Sequence, residues 1–210
     1  QQLPGDCFSD TELDNLLQRV FQKAPRKSKD HQYALVKRAV SKGELLHIRR
    51  GLYCLAPRYQ RHPLNLFSLA QKIYGPSYVT AESALSHHGW IPESVPMIIS
   101  ATTKRSRDFK TPLGLFIYRR VLCTPFYAGI SRETPEGSSF LMASPLKALL
   151  DYVFIYKKEW KGLDPLLNSL RIEEENLKTL HEEELKLARH YRSRRLQRFL
   201  SGLRKDLLWR

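Results

Sequence analysis

The hydrophobic pattern of this sequence changes period at Gly43, and this change constrains the fold more than any other feature. In "DHQYALVKRAVSKG", before Gly43, apolar residues recur at the spacing of one helix face; they are Leu35, Val36, Ala39 and Val40. In "GELLHIRRGLYCLAP", apolar and basic residues alternate around a turn at Arg50-Gly51, which is typical of a β-hairpin. The sequence therefore predicts a helix that runs directly into a short hairpin.

An additional amphipathic helix is predicted upstream, in "SDTELDNLLQRVF", where Ser9 or Asp10 can cap its first turn. The basic connector "QKAPRKSK", which Pro25 interrupts, joins it to the helix before Gly43. Helix, basic connector, basic amphipathic helix and hairpin follow in the order of a winged helix-turn-helix. We expect this architecture over residues 1–60.

The charge of the chain favours a polyanionic partner. Its 210 residues include 35 lysines and arginines against 21 acids, a net charge of +14. Residues 22–50 alone hold nine basic residues and two acids. Such an excess indicates nucleic acid more often than an acidic protein or a membrane surface.

Eight basic or polar residues of this region have an expected role on double-stranded DNA. A helix in the major groove reads base edges, and a hairpin beside it meets phosphates. The candidates for phosphate contacts are Lys27, Lys29, Lys37, Arg49 and Arg50. The candidates for base edges are Gln32, Tyr33, Lys37 and Arg38. The alternative is that these side chains form the solvated face of a basic helix and hairpin in an ordinary domain.

A domain boundary is expected at "PRYQRHP", residues 57–63, which has two prolines and no apolar pattern. Beyond it, residues 61–210 predict a mixed α/β domain with a short-stranded sheet and C-terminal helices, so the fold class is α+β. Helices are expected in residues 64–75, 80–89 and 145–156, and in most of residues 163–208. Strands are expected in residues 97–102, 109–121 (broken near Pro112), 126–131 and 138–144.

Cysteine usage and hydropathy indicate a cytoplasmic protein. Cys7, Cys54 and Cys123 are far apart and form no C-x-x-C pair, so we expect reduced thiols, no disulfide framework and no zinc site. No apolar run is long enough for a transmembrane helix, and "QQLPGDCFSD" lacks the regions of a signal peptide.

Three segments in fixed order carry a resemblance to a known family: "KGELLHIRRGLY", "YVTAESALSHHGWIPE" and "MASPLKALLDYV". Across about residues 30–155 the chain resembles the AbiEi-type antitoxins of bacterial type IV toxin–antitoxin, or abortive infection, systems of phage defence. The resemblance implies a winged-helix repressor of its own operon and a C-terminal domain needed for antitoxicity. It implies a nucleotidyltransferase-like toxin as genetic partner, with direct contact left open.

We therefore expect a transcriptional autorepressor without catalytic activity, cofactor or metal. It would bind a repeat operator in its own promoter, as a monomer in solution or a dimer on DNA. The rival hypothesis is a Mg²⁺-dependent nuclease built on Glu93, Asp108 and Lys110, which follow the order of one acid and then Asp-x-Lys. "KRSRDFK" also fits a basic loop between strands.

Three other groups of residues have two interpretations each. The arginines of "ARHYRSRRLQR", with Arg194 and Arg198 on one helix face, fit a second nucleic-acid surface or a solvated face. Adjacent histidines His87 and His88 point about 100° apart on a helix, which favours packing over metal binding. Lys147 and Asp151, four residues apart, are expected to form an ion pair on the surface or in packing.

Overall fold

The computed structural model describes residues 6–20, 29–135 and 138–208, and it shows the mixed α+β class that the sequence predicts. The chain opens with strand β1 (Cys7–Ser9), helix α1 (Asp10–Val20) and helix α2 (Lys29–Ser41). Lys27 and most of the basic connector lie outside the described residues. The helix-turn-helix arrangement of the N-terminus therefore stays a prediction.

The start of α1 and the end of α2 lie where the local sequence predicts them. Ser9 caps α1, because its Oγ accepts a bond from the backbone N of Glu12 (3.3 Å) while the Glu12 carboxylate accepts one from the backbone N of Ser9 (2.8 Å). After α2, Gly43 adopts a left-handed φ of 66°. This conformation lets the backbone N of Gly43 bond to the carbonyl of Val40, which stops the helix where the sequence predicts.

The predicted hairpin forms the greater part of a three-stranded N-terminal sheet. Strand β2 (Leu45–Arg49) turns at Arg50-Gly51 into strand β3 (Leu52–Leu55), and Gly51 has a φ of 76°. The order of strands is β1-β3-β2, all antiparallel. Strand β1, with three residues, is too short for its alternation to be visible in the sequence.

The disulfide between Cys7 and Cys54 shows that the expectation of three free thiols is wrong. The two residues are opposite each other on β1 and β3, with Cα atoms 4.0 Å apart. The ladder bond runs between their neighbours, from Leu55 N to Asp6 O, so the cysteines form the non-hydrogen-bonded pair, in which side chains lie closest. Cys123 is free and buried. Because disulfides persist mainly in oxidising surroundings, the cytoplasmic location stays a prediction.

A six-stranded mixed sheet follows, in the order β6-β7-β5-β4-β9-β8. Its strands are β4 (Ser77–Val79), β5 (Met97–Thr102), β6 (Arg107–Thr111), β7 (Gly114–Arg120), β8 (Ile130–Glu133) and β9 (Phe140–Ala143). Neighbours β5 and β7, and β4 and β9, are parallel, and the other pairs are antiparallel. Between and after the strands lie α3 (Leu66–Ile73), α4 (Ala81–His87) and α5 (Pro145–Ile155).

The C-terminal region is helical but more broken than the sequence predicts. It holds α6 (Asp164–Ser169), α7 (Glu174–Lys178), α8 (Glu182–Leu185), a 3-10 helix (Lys186–His190) and α9 (Arg194–Leu208). The break before α9 has a physical cause. Tyr191 leaves the helix to form a β-bridge with Cys123, and its hydroxyl enters a buried network around Asp151. The strand predicted for residues 126–131 also begins later, at Ile130.

Two hydrophobic cores hold these layers together. The larger one lies between the six-stranded sheet, α4, α5 and the C-terminal helices. The smaller one joins buried residues of the N-terminal sheet, α3 and β7; its members include Ile48, Leu52, Leu69, Ile73, Phe116 and Tyr118. Residues on both sides of position 60 therefore share one core, and the division into domains stays a prediction.

Candidate nucleic-acid interface

The solvent-facing side of α2 carries the side chains that the sequence assigns to base edges. Tyr33 is the most exposed large hydrophobic side chain of the described residues, at 69%. Lys37 and Arg38 are exposed and Gln32 is half-buried. A tyrosine that exposed makes no contribution to the core, so it is free to meet a partner.

The hairpin tip lies beside this helix face. Arg50 is exposed at the turn, and a Cβ on neighbouring Gly51 would come within 3.1 Å of the Oδ2 atom of Asp10. The exposed ring of His47 packs against the ring of Tyr53, with centroids 5.2 Å apart. Burial, with the nearby charge of Asp10, raises the pKa of Tyr53 above its ordinary value. The tip thus presents the exposed guanidinium of Arg50 and the exposed imidazole of His47.

Arg49, the neighbour of Arg50, faces the protein instead. Its Nη1 donates to the carbonyl oxygen of Arg50 at 2.8 Å, and its Nη2 donates to the carbonyl oxygen of Lys72 at 3.4 Å. These bonds give Arg49 a structural task that the sequence does not reveal. Of the two arginines at the turn, Arg50 is the one whose charge faces solvent.

A groove of 830 Å³ lies between α1, α2 and the hairpin. Its walls include Gln32, Tyr33, Lys37, His47 and Arg50, and its apolar lining comes from Leu13, Val36 and Val40. Three carboxylates, from Asp10, Asp14 and Asp30, line it as well. The groove therefore gathers four of the residues that the sequence singles out, in surroundings of mixed charge. The aspartates disfavour a phosphate inside it and favour groups that donate hydrogen bonds.

Other predicted contacts lie elsewhere or outside the description. Arg38 is exposed but does not line the groove. Lys27 lies outside the described residues, and of Lys29 only the backbone is described. On α9, Arg194 is exposed, whereas Arg198 reaches the Glu159 carboxylate at 4.0 Å.

The two carboxylates of the nuclease hypothesis are paired with different arginines. Glu93 is in an ion pair with Arg171, and Asp108 is in an ion pair with Arg119 on the adjacent strand. Lys110 is exposed on β6. Within residues 6–20, 29–135 and 138–208, no group of three or more histidines, cysteines or acids could hold a metal ion.

The two adjacent histidines at the end of α4 have separate partners. The Nε2 atom of His87 lies 2.9 Å from Glu133 Oε2, and the Nε2 atom of His88 lies 2.9 Å from the carbonyl oxygen of Ala143. The side chains thus tie α4 to β8 and β9. This arrangement agrees with a packing role at the helix end.

The Lys147–Asp151 pair is buried at 0% exposure rather than placed on the surface. Lys147 Nζ lies 3.2 Å from Asp151 Oδ1, and the other carboxylate oxygen accepts bonds from Tyr78 (2.9 Å) and Thr80 (2.7 Å). Burial, together with the charge of Asp151, raises the pKa of Tyr78 well above its ordinary value. Thr80 directly precedes α4, and its hydroxyl bonds to Asp151 and does not cap the helix.

Comparisons with known proteins assign no family to this chain. No family model matches the sequence, and the search of curated proteins finds no match either. In the part of the chain that the structure describes, every helix is too short or too polar to cross a bilayer.

Proposed function

We propose that this chain is a sequence-specific DNA-binding regulator that holds its operator against α2 and the β2–β3 hairpin. The observation that carries the proposal is the placement of exposed Tyr33 and Lys37 from α2 along one groove with His47 and Arg50 from the hairpin. Helix α2 acts as the recognition helix and the hairpin as the wing of a winged helix-turn-helix. A helix fits the major groove, and a wing meets the backbone beside it.

The charges of the groove suit its residues to two different kinds of DNA contact. Gln32, Tyr33 and Lys37 read base edges, because the aspartates nearby keep phosphates out but welcome donors such as the amino group of cytosine. Arg50, at the rim, binds phosphate, and so does Arg38 on the exposed side of α2. Phosphate contacts orient the protein, and base contacts supply the preference.

The regulator controls its own promoter and acts in the cytoplasm as an antitoxin. This part of the proposal rests on the resemblance of residues 30–155 to AbiEi-type antitoxins. The partner gene encodes a nucleotidyltransferase-like toxin. Co-expression of the chain with the product of the adjacent gene tests the role: rescue of growth supports it, and toxicity that persists at equal toxin levels overturns it.

DNA binding is tested by fluorescence anisotropy with the upstream DNA of the gene and a scrambled duplex, from about 50 to 300 mM salt. We expect a preference of about 10³-fold or more for the upstream DNA. Tyr33→Ala and Lys37→Ala should reduce that preference, while Arg50→Ala weakens binding to both duplexes alike. Tyr59→Ala, which removes an exposed tyrosine outside the groove, serves as the matched control.

Two outcomes overturn the proposal. Equal affinity for the two duplexes would show that the basic charge only coats the DNA backbone. An equal effect of Tyr33→Ala, Lys37→Ala and Arg50→Ala on both duplexes would show that α2 is not the recognition helix.

The arginines at the start of α9 are a second candidate surface. Arg194 has no carboxylate within 4.0 Å among the described residues, whereas Arg198 is near Glu159. If this face binds DNA, Arg194→Ala with Arg198→Ala weakens binding and flattens its salt dependence. Unchanged affinity and slope identify it as a solvated face.

A further inference from the structure

Three exposed cations, Lys104, Arg105 and Arg107, lie at the start of β6 and in the loop before it. Strand β6 lies beside β2 of the hairpin. We call the boundary between these two strands the seam, and the three residues the seam cations. Two of them rest on aromatic rings. Lys104 Nζ lies 5.3 Å from the ring centroid of Tyr74, and the Arg107 guanidinium carbon lies 4.9 Å from that of Phe109. The rings thus hold the two charged groups in place on exposed side chains.

No carboxylate neutralises these charges within the described residues, since none lies within 4.0 Å of a seam cation. The one acid of β6, Asp108, points to the opposite face of the strand, because successive side chains alternate. There it pairs with Arg119. On the side of β6 that carries Arg107 and Phe109, Phe109 packs onto the smaller core and Arg107 is the exposed charge at the end of the strand.

This face adjoins the hairpin. Strand β2 is a spatial neighbour of β6, and Ile48 of β2 shares the smaller core with Tyr118, against which Phe109 packs. Tyr118 is the register partner of Arg107. Arg49 of β2 donates to the carbonyl oxygen of Lys72, and the hydroxyl of Tyr74, two residues further along, donates to the carbonyl oxygen of Arg105 at 3.2 Å. The end of β2 that leads to the hairpin tip and the start of β6 are therefore at the same end of the seam.

We infer that the seam cations bind the phosphate backbone of the same DNA and extend the contact of Arg50 across the seam between β2 and β6. The inference rests on the proposed function, whose DNA-binding face it enlarges. Unneutralised cations on an exposed edge strand are suited to a polyanion, and the neighbouring hairpin selects double-stranded DNA as that polyanion. The contact is independent of base sequence.

The test measures a double variant, which combines Lys104→Gln and Arg107→Gln, and compares it with wild type on the upstream and scrambled duplexes. Each lost phosphate contact lowers the slope of log K against log salt by about 0.9, so we expect a fall of about 1.8 on both duplexes. Lys110→Gln is the matched control, because it removes one charge from the other face of the same strand. The charge-retaining double variant Lys104→Arg with Arg107→Lys should keep the wild-type slope.

The outcomes separate this inference from the function on which it rests. The seam contact is overturned if the glutamine double variant keeps the wild-type salt slope, or if its slope falls no more per removed charge than that of Lys110→Gln. If the preference for the upstream DNA remains in that case, the proposed function survives. If the slope falls as expected but no variant prefers the upstream DNA, the seam contact is supported and sequence-specific regulation is overturned. Absence of binding to either duplex overturns both.

Discussion

Arg49 donates a hydrogen bond to the carbonyl oxygen of Lys72 and so fastens the hairpin to the C-terminal end of α3. The last carbonyls of a helix lack partners within the helix. Arg49 supplies that partner, and its Nη1 also holds the turn through the carbonyl of Arg50. Two adjacent arginines of one turn therefore have different tasks.

This difference predicts that one alanine substitution lowers stability and the other weakens DNA binding. Arg49→Ala removes two hydrogen bonds and should lower the free energy of unfolding by about 1–2 kcal/mol. Arg50→Ala, at an exposed position, should change it by less than about 0.5 kcal/mol while weakening DNA binding. Urea unfolding measures the first effect and anisotropy the second. Equal unfolding free energies for the two variants would contradict the assignment.

The buried pair of Lys147 and Asp151 predicts a large loss of stability when one partner is removed. Asp151→Ala leaves a buried ammonium without its counter-charge and should cost about 3–5 kcal/mol. Lys178→Ala breaks an exposed ion pair with Glu175 and should cost less than about 0.5 kcal/mol. Equilibrium urea unfolding compares them. A loss below about 1 kcal/mol for Asp151→Ala would show that the network is not closed as described.

Glu82 predicts a dependence of stability on pH. Burial raises its pKa above 4.5, and bonds from its own backbone and Tyr156, with the charge of Lys158, oppose the shift. Because the folded protein then binds the proton more tightly than the unfolded chain, stability falls as pH rises from 4.5 through the raised value.

Glu82→Gln keeps an acceptor for the Tyr156 hydroxyl but removes the charge. We expect the variant to be more stable than wild type at pH 7, with a difference that shrinks as pH falls through the raised pKa towards 4.5. Thermal unfolding across this range measures it. A stability gap that is constant with pH would remove the titration of Glu82 as its cause.

The disulfide predicts a response to reductant. Cys7 and Cys54 are separated by 47 positions, and cross-linking a loop of this length stabilises by about 4 kcal/mol. Dithiothreitol should therefore lower the Tm by roughly 10 °C. Cys54→Ser should reproduce this loss and abolish the response, whereas Cys123→Ser should leave the response intact. Three titratable thiols in the denatured, unreduced protein would contradict the bond.

Regular elements with strong local signals were predictable, and contacts between distant segments were not. The period change at Gly43, the cap at Ser9 and the proline at the first turn of α5 are local, and each helix boundary there follows the sequence. The disulfide and the break at Tyr191 depend on partners far along the chain. No local pattern carries them.

The candidate site was predictable in the same measure. Tyr33, Lys37 and Arg50 have the exposure that the helix and hairpin patterns indicate. The inward turn of Arg49 depends on how α3 packs, and the presence of Asp10 and Asp14 in the groove depends on how α1 packs. "KRSRDFK" was predicted as a basic loop or a nuclease element, and its position beside the hairpin depends on the contact between β2 and β6, which belong to different sheets.

The smaller core also determines how the N-terminal unit can be transplanted. Ile48 and Leu52 share a buried cluster with Leu69 of α3 and Phe116 of β7. Truncation at residue 60 would therefore expose the hydrophobic face of the N-terminal sheet to solvent. A chimaera that borrows this unit for another scaffold must carry α3 and the β6–β7 ribbon with it. The smallest unit that can be transplanted is therefore larger than the segment that we propose to bind DNA.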